Sequence, residues 1–495
     1  MRTGADYREA LRDGRRVWVM GEGLIDDVTT HPATRSMVNE YVAWYDRHAD
    51  PAWADTVLNL RDTGERLPLS CLLPKGADDL VRMGKCYAAT TFLSAGNITH
   101  TPAYGHLISL GILAAVQERN VSAKQVADAA AYRDLIAGTE RFLTFSGGGA
   151  TIGHRLREDP RERAAFRVVR ETDSGLVISG RIGMHTSPAY AEDVFIGGQT
   201  GIEIGAHRAT FIVPVGAAGV TTVCRKIAVR DANPFMAPLS SRYDELDGQM
   251  WLDDVFVPWE RIFLLDASPE PIARWLVWHQ LYCWLSRAEF TLGLALACTH
   301  AMGLVEHEQT IDYLVDLIID VQTVRSCLTA AERDPRFTPE GYCYPNHSHL
   351  AAGSIAMLKS RQRISEILRI VPGSSLVVAP SDRDLAAPEM ATGLEASFGG
   401  GGYTALQRAA LLQMAWDHVS SALDARESAF ELHANGGMPV WRSRIRRSFD
   451  RYNELANAVL RQIGVPMPKI DLTAISAAAI APRRPVAPPA PTTPR

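Results

Sequence analysis

The sequence predicts a helical region, a β region and a helical bundle, in that order along the chain. Apolar residues recur at helical spacing over much of residues 30–117. Short β-prone runs separated by Gly, Pro and Asp fill residues 165–259, a pattern that favours an antiparallel sandwich or barrel over a βαβ sheet. After residue 271, long apolar-patterned segments return and should pack as an antiparallel bundle.

These residue patterns predict four regions. We expect a mainly helical domain over residues 1–155, a central β domain over residues 156–270 and a helical bundle over residues 271–470. The remaining segment, residues 471–495, is rich in Ala and Pro towards its end and should be a disordered tail.

Composition limits the function classes. The 495 residues carry a net charge of −5 and are 46% hydrophobic, so nothing favours a nucleic-acid or membrane partner. No run approaches the roughly 20 apolar residues that span a bilayer, and the N-terminus lacks an apolar signal region. The seven cysteines are scattered without a CxxC pair, which predicts a reduced, cytoplasmic compartment and no metal site.

Local signals define the elements of the first half. Residues 3–13 should form a short helix, with Thr3 as its N-cap and Asp6 completing the cap. Residues 15–20 then read as a strand that ends at the glycines of residues 21–23. From residue 30 to about 117 the pattern is mainly helical, and residues 124–144 continue it.

Long helices dominate the second half. Residues 275–304, 310–332 and 348–370 each predict a helix, and a Pro- and Gly-containing loop follows over residues 371–384. The helical pattern resumes at residues 405–436. These long segments carry more apolar surface than one buried face requires, so we expect the bundle to supply an oligomer interface as well.

Two irregular stretches could carry function. Residues 96–104 connect two apolar segments, contain Pro102 and place His100 and Tyr104 four residues apart. On this stretch alone, an ordinary turn with a capping histidine is the favoured interpretation, because a single His/Tyr pair is a weak signal. The glycine run of residues 146–150 could cradle a phosphate, or it could be a flexible connector.

Several short sequence segments resemble those of one family and occur in the same order along the chain. They are residues 2–11, 15–19, 28–33, 253–261 and 415–421, followed by Arg426. The family is the large oxygenase component of two-component flavin-dependent 4-hydroxyphenylacetate 3-monooxygenases and their halophenol-oxidising relatives. The resemblance runs from Arg2 to roughly Asn457 and implies an acyl-CoA-dehydrogenase-like fold.

The loop at residues 96–104 departs from the family pattern Gly-x-Met-Gly-Arg-Ser-Pro-Asp-Tyr. Gly96, Pro102 and Tyr104 match it, whereas His100 replaces the arginine and Ala103 the aspartate. In the family the arginine and the tyrosine contact a phenolic substrate. The resemblance therefore implies that Tyr104 binds and orients substrate, while His100 can exchange a proton near neutral pH.

A second departure affects the histidine that follows a Leu-Thr pair in the family. Here Phe145 occupies that position and becomes a candidate substrate contact, while His154 could fill the gap only if its loop folds back. For the flavin, the resemblance points to Thr186 at the isoalloxazine and to Arg426 at the phosphates or ribose. His154 and Arg155, beside the glycine run, are further cofactor-binding candidates.

Thr186 and Arg426 also have simpler interpretations. The threonine could cap its own turn at the end of a strand, and a lone helical arginine is more often a solvated surface charge.

The resemblance implies an oxygenase that receives FADH2 from a separate NAD(P)H:flavin reductase, with FMN as a possible substitute. Molecular oxygen would form a flavin C4a-(hydro)peroxide that hydroxylates a small aromatic or heteroaromatic substrate other than 4-hydroxyphenylacetate. His100 would act as the base, and the protein would be a homotetramer or a homodimer.

Two alternatives stay open: dehydrogenase or oxidase chemistry on the same fold, and a catalytically silent family member. A radical dehydratase would need a cysteine pair near residue 100, where only Cys86 occurs.

Overall fold

A computed structural model of the chain describes residues 1–60, 64–119, 121–147, 151–159, 165–197, 202–204, 207–230, 233–265 and 270–477. The end of the predicted tail, from residue 478, and residues 148–150 of the glycine run lie outside these ranges.

Helices occupy most of the N-terminal part of the described chain. Thr3 caps the first helix with a reciprocal contact to Asp6, as the sequence predicted, because the two side chains satisfy each other's backbone N–H groups. The helices are α1 (Gly4–Ala10), α2 (Arg35–Asp46), α3 (Ala54–Val57), α4 (Ala77–Phe92), α5 (Pro102–Arg119), α6 (Ala123–Thr139) and α7 (Ile152–Arg155).

Strands precede, interrupt and follow these helices. In the N-terminal part they are β1 (Arg16–Val19), β2 (Gly23–Ile25), β3 (Leu58–Leu60), β4 (Arg66–Pro68) and β5 (Leu143–Ser146). The central part contains β6 (Phe166–Thr172), β7 (Gly175–Thr186), β8 (Asp193–Ile196), β9 (Ile202–Ile204), β10 (His207–Pro214), β11 (Val220–Cys224), β12 (Asp247–Pro258) and β13 (Ile262–Phe263).

The described strands form two large sheets, each with strands from the N-terminal part, while β3 and β4 form a separate two-stranded pair. One has the order β2-β1-β11-β12-β7-β6, and the other has the order β13-β10-β8-β5 with β9 beside β10. The predicted antiparallel arrangement needs correction at two places, because β1 pairs parallel with β11 and β5 pairs parallel with β8. Residues 143–144, predicted as helix, lie in β5, where the sheet overrides the local pattern.

The C-terminal part is the predicted helical bundle. Its helices are α8 (Glu270–Ala301), α9 (Glu308–Arg333), α10 (His347–Ile370), α11 (Asp382–Ala386), α12 (Pro388–Phe398), α13 (Ala405–Val419), α14 (Ala422–His433), α15 (Gly437–Ser448), α16 (Tyr452–Gln462) and α17 (Thr473–Ala477), with a short hairpin of β14 (Arg336–Phe337) and β15 (Cys343–Tyr344). The pattern predicted over residues 405–436 divides at Ser421, whose hydroxyl caps α14.

Helix α8 is the centre of the molecule. It packs against α4, α5, α9 and α10, and its residues Trp275, Trp278 and Trp284 are fully buried. A helix that is apolar on most faces belongs in a core, which explains its length and composition. Among the described helices, none combines the length and hydropathy required to cross a bilayer.

The loop between α4 and α5 is fixed on α8. Gly96 has a φ of +73°, and a Cβ at this position would lie 2.3 Å from the carbonyl oxygen of Cys283. Only glycine suits both the conformation and the close approach. Pro102 is the first residue of α5, where its missing N–H is not needed, so the next helix starts directly behind His100.

Candidate active site

A cavity of about 850 Å³ lies where the α4–α5 loop, the sheets and the bundle meet. Its size suits a ligand of drug or cofactor dimensions. The loop and α5 contribute Thr99, His100 and Tyr104; the strands contribute Phe145, Met184, His185, Thr186 and Asp247; α8, α14 and α15 contribute, among others, Ile272, Gln280, Arg426, Phe430, His433 and Arg444.

Five of the residues singled out in the sequence lie together in the wall of this cavity. His100, Tyr104, Phe145, Thr186 and Arg426 come from five different elements and all line the cavity. Their chemical roles stay predictions, but their convergence means that one bound ligand could contact several of them.

His154 does not belong to the group that the structure brings together. His154 lies on α7, half-buried, with its Nδ1 2.7 Å from the hydroxyl of Thr151, and it is not part of the cavity wall. The side chain of Arg155 falls outside the described part of the chain. The proposed return of His154 to replace the missing family histidine therefore has no support in this geometry.

Glu245 organises the loop that carries His100. Its side chain is fully buried and accepts the backbone N–H groups of Thr99 at 3.0 Å and His100 at 2.8 Å. It also accepts the hydroxyls of Thr99 at 2.6 Å and Ser187 at 2.9 Å. The carboxylate therefore ties the loop to the end of β7.

His100 is held by one nitrogen. Its Nδ1 lies 2.9 Å from the hydroxyl oxygen of Thr99, and the residue is 7% exposed. Burial lowers the pKa of His100 below its ordinary value, although Glu245 and Asp247 act in the opposite direction. The imidazole is thus uncharged near neutral pH and can accept a proton.

Tyr104 lies four residues further along, on α5, and its ring packs against the imidazole of His100. The ring centroids of His100 and Tyr104 are 4.4 Å apart. Burial raises the pKa of Tyr104 well above its ordinary value, so the hydroxyl keeps its proton. It can therefore donate a hydrogen bond to an oxygen atom that His100 deprotonates.

Thr186, Asp247 and Arg426 form a connected polar wall. Thr186 donates its hydroxyl to Asp247 at 3.0 Å, and Arg426 holds both carboxylate oxygens of Asp247 at 2.7 Å. Burial alone would raise the pKa of Asp247, but Arg426 and Arg225 bring it below its ordinary value. The guanidinium of Arg426, predicted to reach a cofactor's phosphates or ribose, is here bonded to protein carboxylates.

His185 is a functional candidate that the sequence reasoning missed. It is 1% exposed and lines the cavity beside Thr186, and neither ring nitrogen has a hydrogen-bond partner among the described residues. Burial lowers its pKa to about 3. An unsatisfied buried polar group costs about 1–3 kcal/mol, so a bound ligand that bonds this ring would remove a penalty. The only sequence signal was its position next to Thr186.

Metal-ligating side chains do not cluster in the described part of the chain. No group of three or more His, Cys, Asp or Glu residues there is arranged to hold an ion.

Comparisons with known proteins agree with the resemblance seen in the sequence. The profile described as 4-hydroxyphenylacetate 3-hydroxylase N terminal matches residues 3–264, and the corresponding C-terminal profile matches residues 271–461. The 4-hydroxyphenylacetate 3-monooxygenase oxygenase component of Thermus thermophilus is 30% identical over 442 residues, which cover 87% of this chain and 91% of the relative.

A second relative acts on another phenol. The oxygenase component of the 4-nitrophenol 4-monooxygenase/4-nitrocatechol 2-monooxygenase of Rhodococcus opacus is 29% identical over 484 residues, covering 90% of this chain and 87% of the relative.

Solved structures share the whole architecture. The oxygenase component HpaB of 4-hydroxyphenylacetate 3-monooxygenase, in complex with FAD and 4-hydroxyphenylacetate, superposes with a TM-score of 0.84 at 25% identity, over 94% of this chain and 99% of that chain. An archaeal 4-hydroxybutyryl-CoA dehydratase from N. maritimus reaches 0.82 at 16% identity, over 95% of this chain and 96% of that chain, and shows a shared fold alone.

The fold and the cavity thus define a class, the oxygenase components of flavin-dependent aromatic monooxygenases. The chain belongs to the 4-hydroxyphenylacetate 3-hydroxylase family. The predictions of the family, of the acyl-CoA-dehydrogenase-like fold and of an oxidoreductase are confirmed.

Proposed function

We propose that the protein binds FADH2 from a separate NAD(P)H:flavin reductase and hydroxylates a phenol with molecular oxygen. One oxygen atom enters the ring, the other leaves as water, and FADH2 becomes FAD. The observation that carries the proposal is the pairing of an uncharged His100 with a protonated Tyr104 in one wall of a large cavity. FAD-bound HpaB and an FADH2-dependent relative support the choice of cofactor.

The residues of the cavity fit a flavin. Phe145, Met184 and Phe430 supply apolar surface for a flat ring system, and the unpartnered imidazole of His185 offers a donor and an acceptor to its polar edge. The guanidinium of Arg426 lies in the same wall, paired with the carboxylate of Asp247. When bound, the reduced flavin supplies the two electrons that activate dioxygen.

His100 and Tyr104 then prepare the substrate. The uncharged imidazole takes the phenolic proton, and the resulting phenolate is more electron-rich at the carbons beside its oxygen. The Tyr104 hydroxyl donates a hydrogen bond to that oxygen and fixes the orientation of the ring. The apolar neighbours Phe145 and Phe430 keep water from the reacting atoms.

We infer that the preferred substrate is a phenol or related heteroaromatic ring other than 4-hydroxyphenylacetate. The support is the replacement of the family's arginine and aspartate by His100 and Ala103, together with relatives that act on nitrophenol and trichlorophenol. Efficient hydroxylation of 4-hydroxyphenylacetate would contradict this inference.

The test of the proposed function is turnover with a flavin reductase, NADH, FAD and labelled dioxygen on a panel of phenols. We expect a hydroxylated product that contains one labelled oxygen atom, with little hydrogen peroxide for the preferred substrate. If every phenol leaves all the electrons in hydrogen peroxide, the proposal is wrong and oxidase chemistry or a silent protein replaces it.

We further propose that the protein self-associates, as a homotetramer or a homodimer. Helix α9 exposes four aliphatic side chains that share one face because their spacing is helical: Ile311, Val315, Ile318 and Ile319, which are 41–55% exposed. Light scattering should give an oligomer, and Val315→Glu should reduce its mass. A monomeric wild type would remove the proposal.

The cytoplasm is the compartment we propose. All seven cysteines are free thiols, and six of them are buried. This is the pattern expected in reducing surroundings. Fractionation of the producing cells would test this placement.

A further inference from the structure

The hydrogen bonds around Thr99 have a fixed direction. A carboxylate only accepts, so the single hydroxyl proton of Thr99 goes to Glu245, 2.6 Å away. The oxygen of this hydroxyl can then only accept at the Nδ1 of His100, 2.9 Å away. The Nδ1 therefore carries the ring proton.

This direction leaves Nε2 as the basic nitrogen. A neutral imidazole has one N–H and one lone pair, and the described residues provide no hydrogen bond to Nε2. Because His100 lines the cavity, Nε2 is the nitrogen that remains for a ligand.

The other groups that face His100 also favour the Nδ1–H tautomer and a basic Nε2. Glu245 lies 4.0 Å from Nδ1, and Asp247 and Arg426 act on the ring from β12 and α14 with opposite signs. The neighbouring imidazoles of His185 and His279 are uncharged, since burial lowers the pKa of each to about 3. The positive charge of a protonated His100 is therefore stabilised by the carboxylates of Glu245 and Asp247 and opposed by the guanidinium of Arg426.

We propose that Glu245 is a positioning residue that acts through the hydroxyl of Thr99, holding His100 in the Nδ1–H tautomer with Nε2 directed to the proton of a phenol. In the step, the O–H bond of the phenol breaks and an N–H bond forms at Nε2, giving a phenolate and an imidazolium without any change of oxidation state. The imidazolium is stabilised by the carboxylate through the intervening hydroxyl of Thr99, whereas in Ser-His-Asp sites the carboxylate bonds the imidazole directly. This inference rests on the proposed function, in which His100 is the base.

The test uses 4-nitrophenol as an optical probe, because its phenol and phenolate forms absorb differently. The full-length protein, with and without FAD, is titrated over a range of pH, and the apparent pKa of the bound probe is measured. In the wild type we expect it below that of the free probe. In Thr99→Val it should rise by about one unit, which is a tenfold smaller ratio of phenolate to phenol, and Thr99→Ser should restore it.

A matched control lies in the same loop. Thr101 is also buried, but its hydroxyl bonds His279 at 3.2 Å rather than His100, so Thr101→Val should titrate like the wild type. Circular dichroism verifies that each variant folds, and Thr99→Ala replaces Thr99→Val if the latter does not.

The outcomes separate the two proposals. If Thr99→Val ionises the probe as well as the wild type does, the positioning role is overturned and His100 remains the proposed base. A wild type that does not bind the probe, or does not lower its pKa, overturns the positioning role and the proposed base together.

Discussion

His100 carries the proton transfer that we assign to the cavity, and its replacement gives the first prediction. In His100→Asn the amide can still reach the Thr99 hydroxyl, but the nitrogen corresponding to Nε2 is lost. We expect hydroxylation at neutral pH to fall about 10²–10⁴-fold, the usual effect of a general base, while FADH2 still binds. Product formed per FADH2 consumed is the measurement.

The pH dependence of this variant is its internal control. The loss should shrink as the pH rises through the pKa of the free phenol, because the substrate then arrives ionised. Undiminished product in His100→Asn at neutral pH would show that another group is the base.

Gly96 gives a second prediction at the residue scale. Gly96→Ala should lower the free energy of unfolding by about 1–3 kcal/mol more than Gly303→Ala. Both glycines have a positive φ, but a Cβ on Gly96 would meet Cys283 and Arg287, whereas Gly303 has open space. Urea unfolding of the pair is the measurement, and equal effects would contradict the packing argument.

At this scale, the sequence identified residues by chemical type and family position. His100 and Tyr104 were accessible because they lie in one loop four residues apart. Glu245 was not, because its contacts with Thr99 and His100 join positions 145 or more residues apart in the chain. His185 was missed because an isolated histidine in a strand shows nothing of its burial or its lack of partners.

At the scale of elements, Asp424 joins helices of the bundle. From α14 it accepts hydrogen bonds from Arg287 of α8 at 2.9 Å and from Arg361 and Arg369 of α10 at 3.0 Å. Arg287 also holds Asn97 of the active-site loop at 2.6 Å. This cluster therefore couples the bundle to the loop.

Asp424→Asn tests that coupling. We expect a loss of about 3–5 kcal/mol in unfolding free energy, because the buried guanidinium groups of Arg287 and Arg361 lose one counter-charge and keep that of Glu431. Glu454→Gln, at an exposed pair with Arg451, serves as control and should barely change the urea midpoint. Similar midpoints for the two variants would contradict the importance of the buried cluster.

The elements were predicted with unequal success for a physical reason. Helices α8, α9 and α10 were found within a few residues of their ends, because long apolar periodicity is a local signal. Residues 143–144 of β5 were predicted as helix, and the parallel pairings of β1 and β5 were not predicted. Pairing depends on distant partners, which one segment of sequence does not reveal.

For the whole molecule, buried uncharged histidines predict sensitivity to mild acid. Burial lowers the pKa from 6.5 to about 4 for His48 and to about 3 for His106, His185 and His279. Below pH 6.5 the unfolded chain binds protons that the folded chain does not. The unfolding free energy therefore decreases as the pH decreases, by roughly 1.4 kcal/mol per pH unit for each such group.

Three carboxyl groups oppose this trend without cancelling it, and one of them is Glu140, whose pKa burial raises above its ordinary value. Burial raises the pKa of Glu332 and Glu427 to about 7, so these groups stabilise the folded state as the pH falls from 7 towards 4.5. The histidines outnumber them, and the urea midpoint should drop between pH 6.5 and 5. His106→Gln should reduce proton uptake on unfolding by about one. A midpoint that stays constant or rises would contradict the prediction.

The central claim, a reduced-flavin oxygenase, is tested most directly by anaerobic titration with FADH2 followed by rapid mixing with oxygenated buffer. We predict that FADH2 binds and that the flavin spectrum returns to the oxidised form in two resolved phases, the later one responding to added phenol. Failure of FADH2 to bind, or a single direct return to oxidised flavin, would contradict the account.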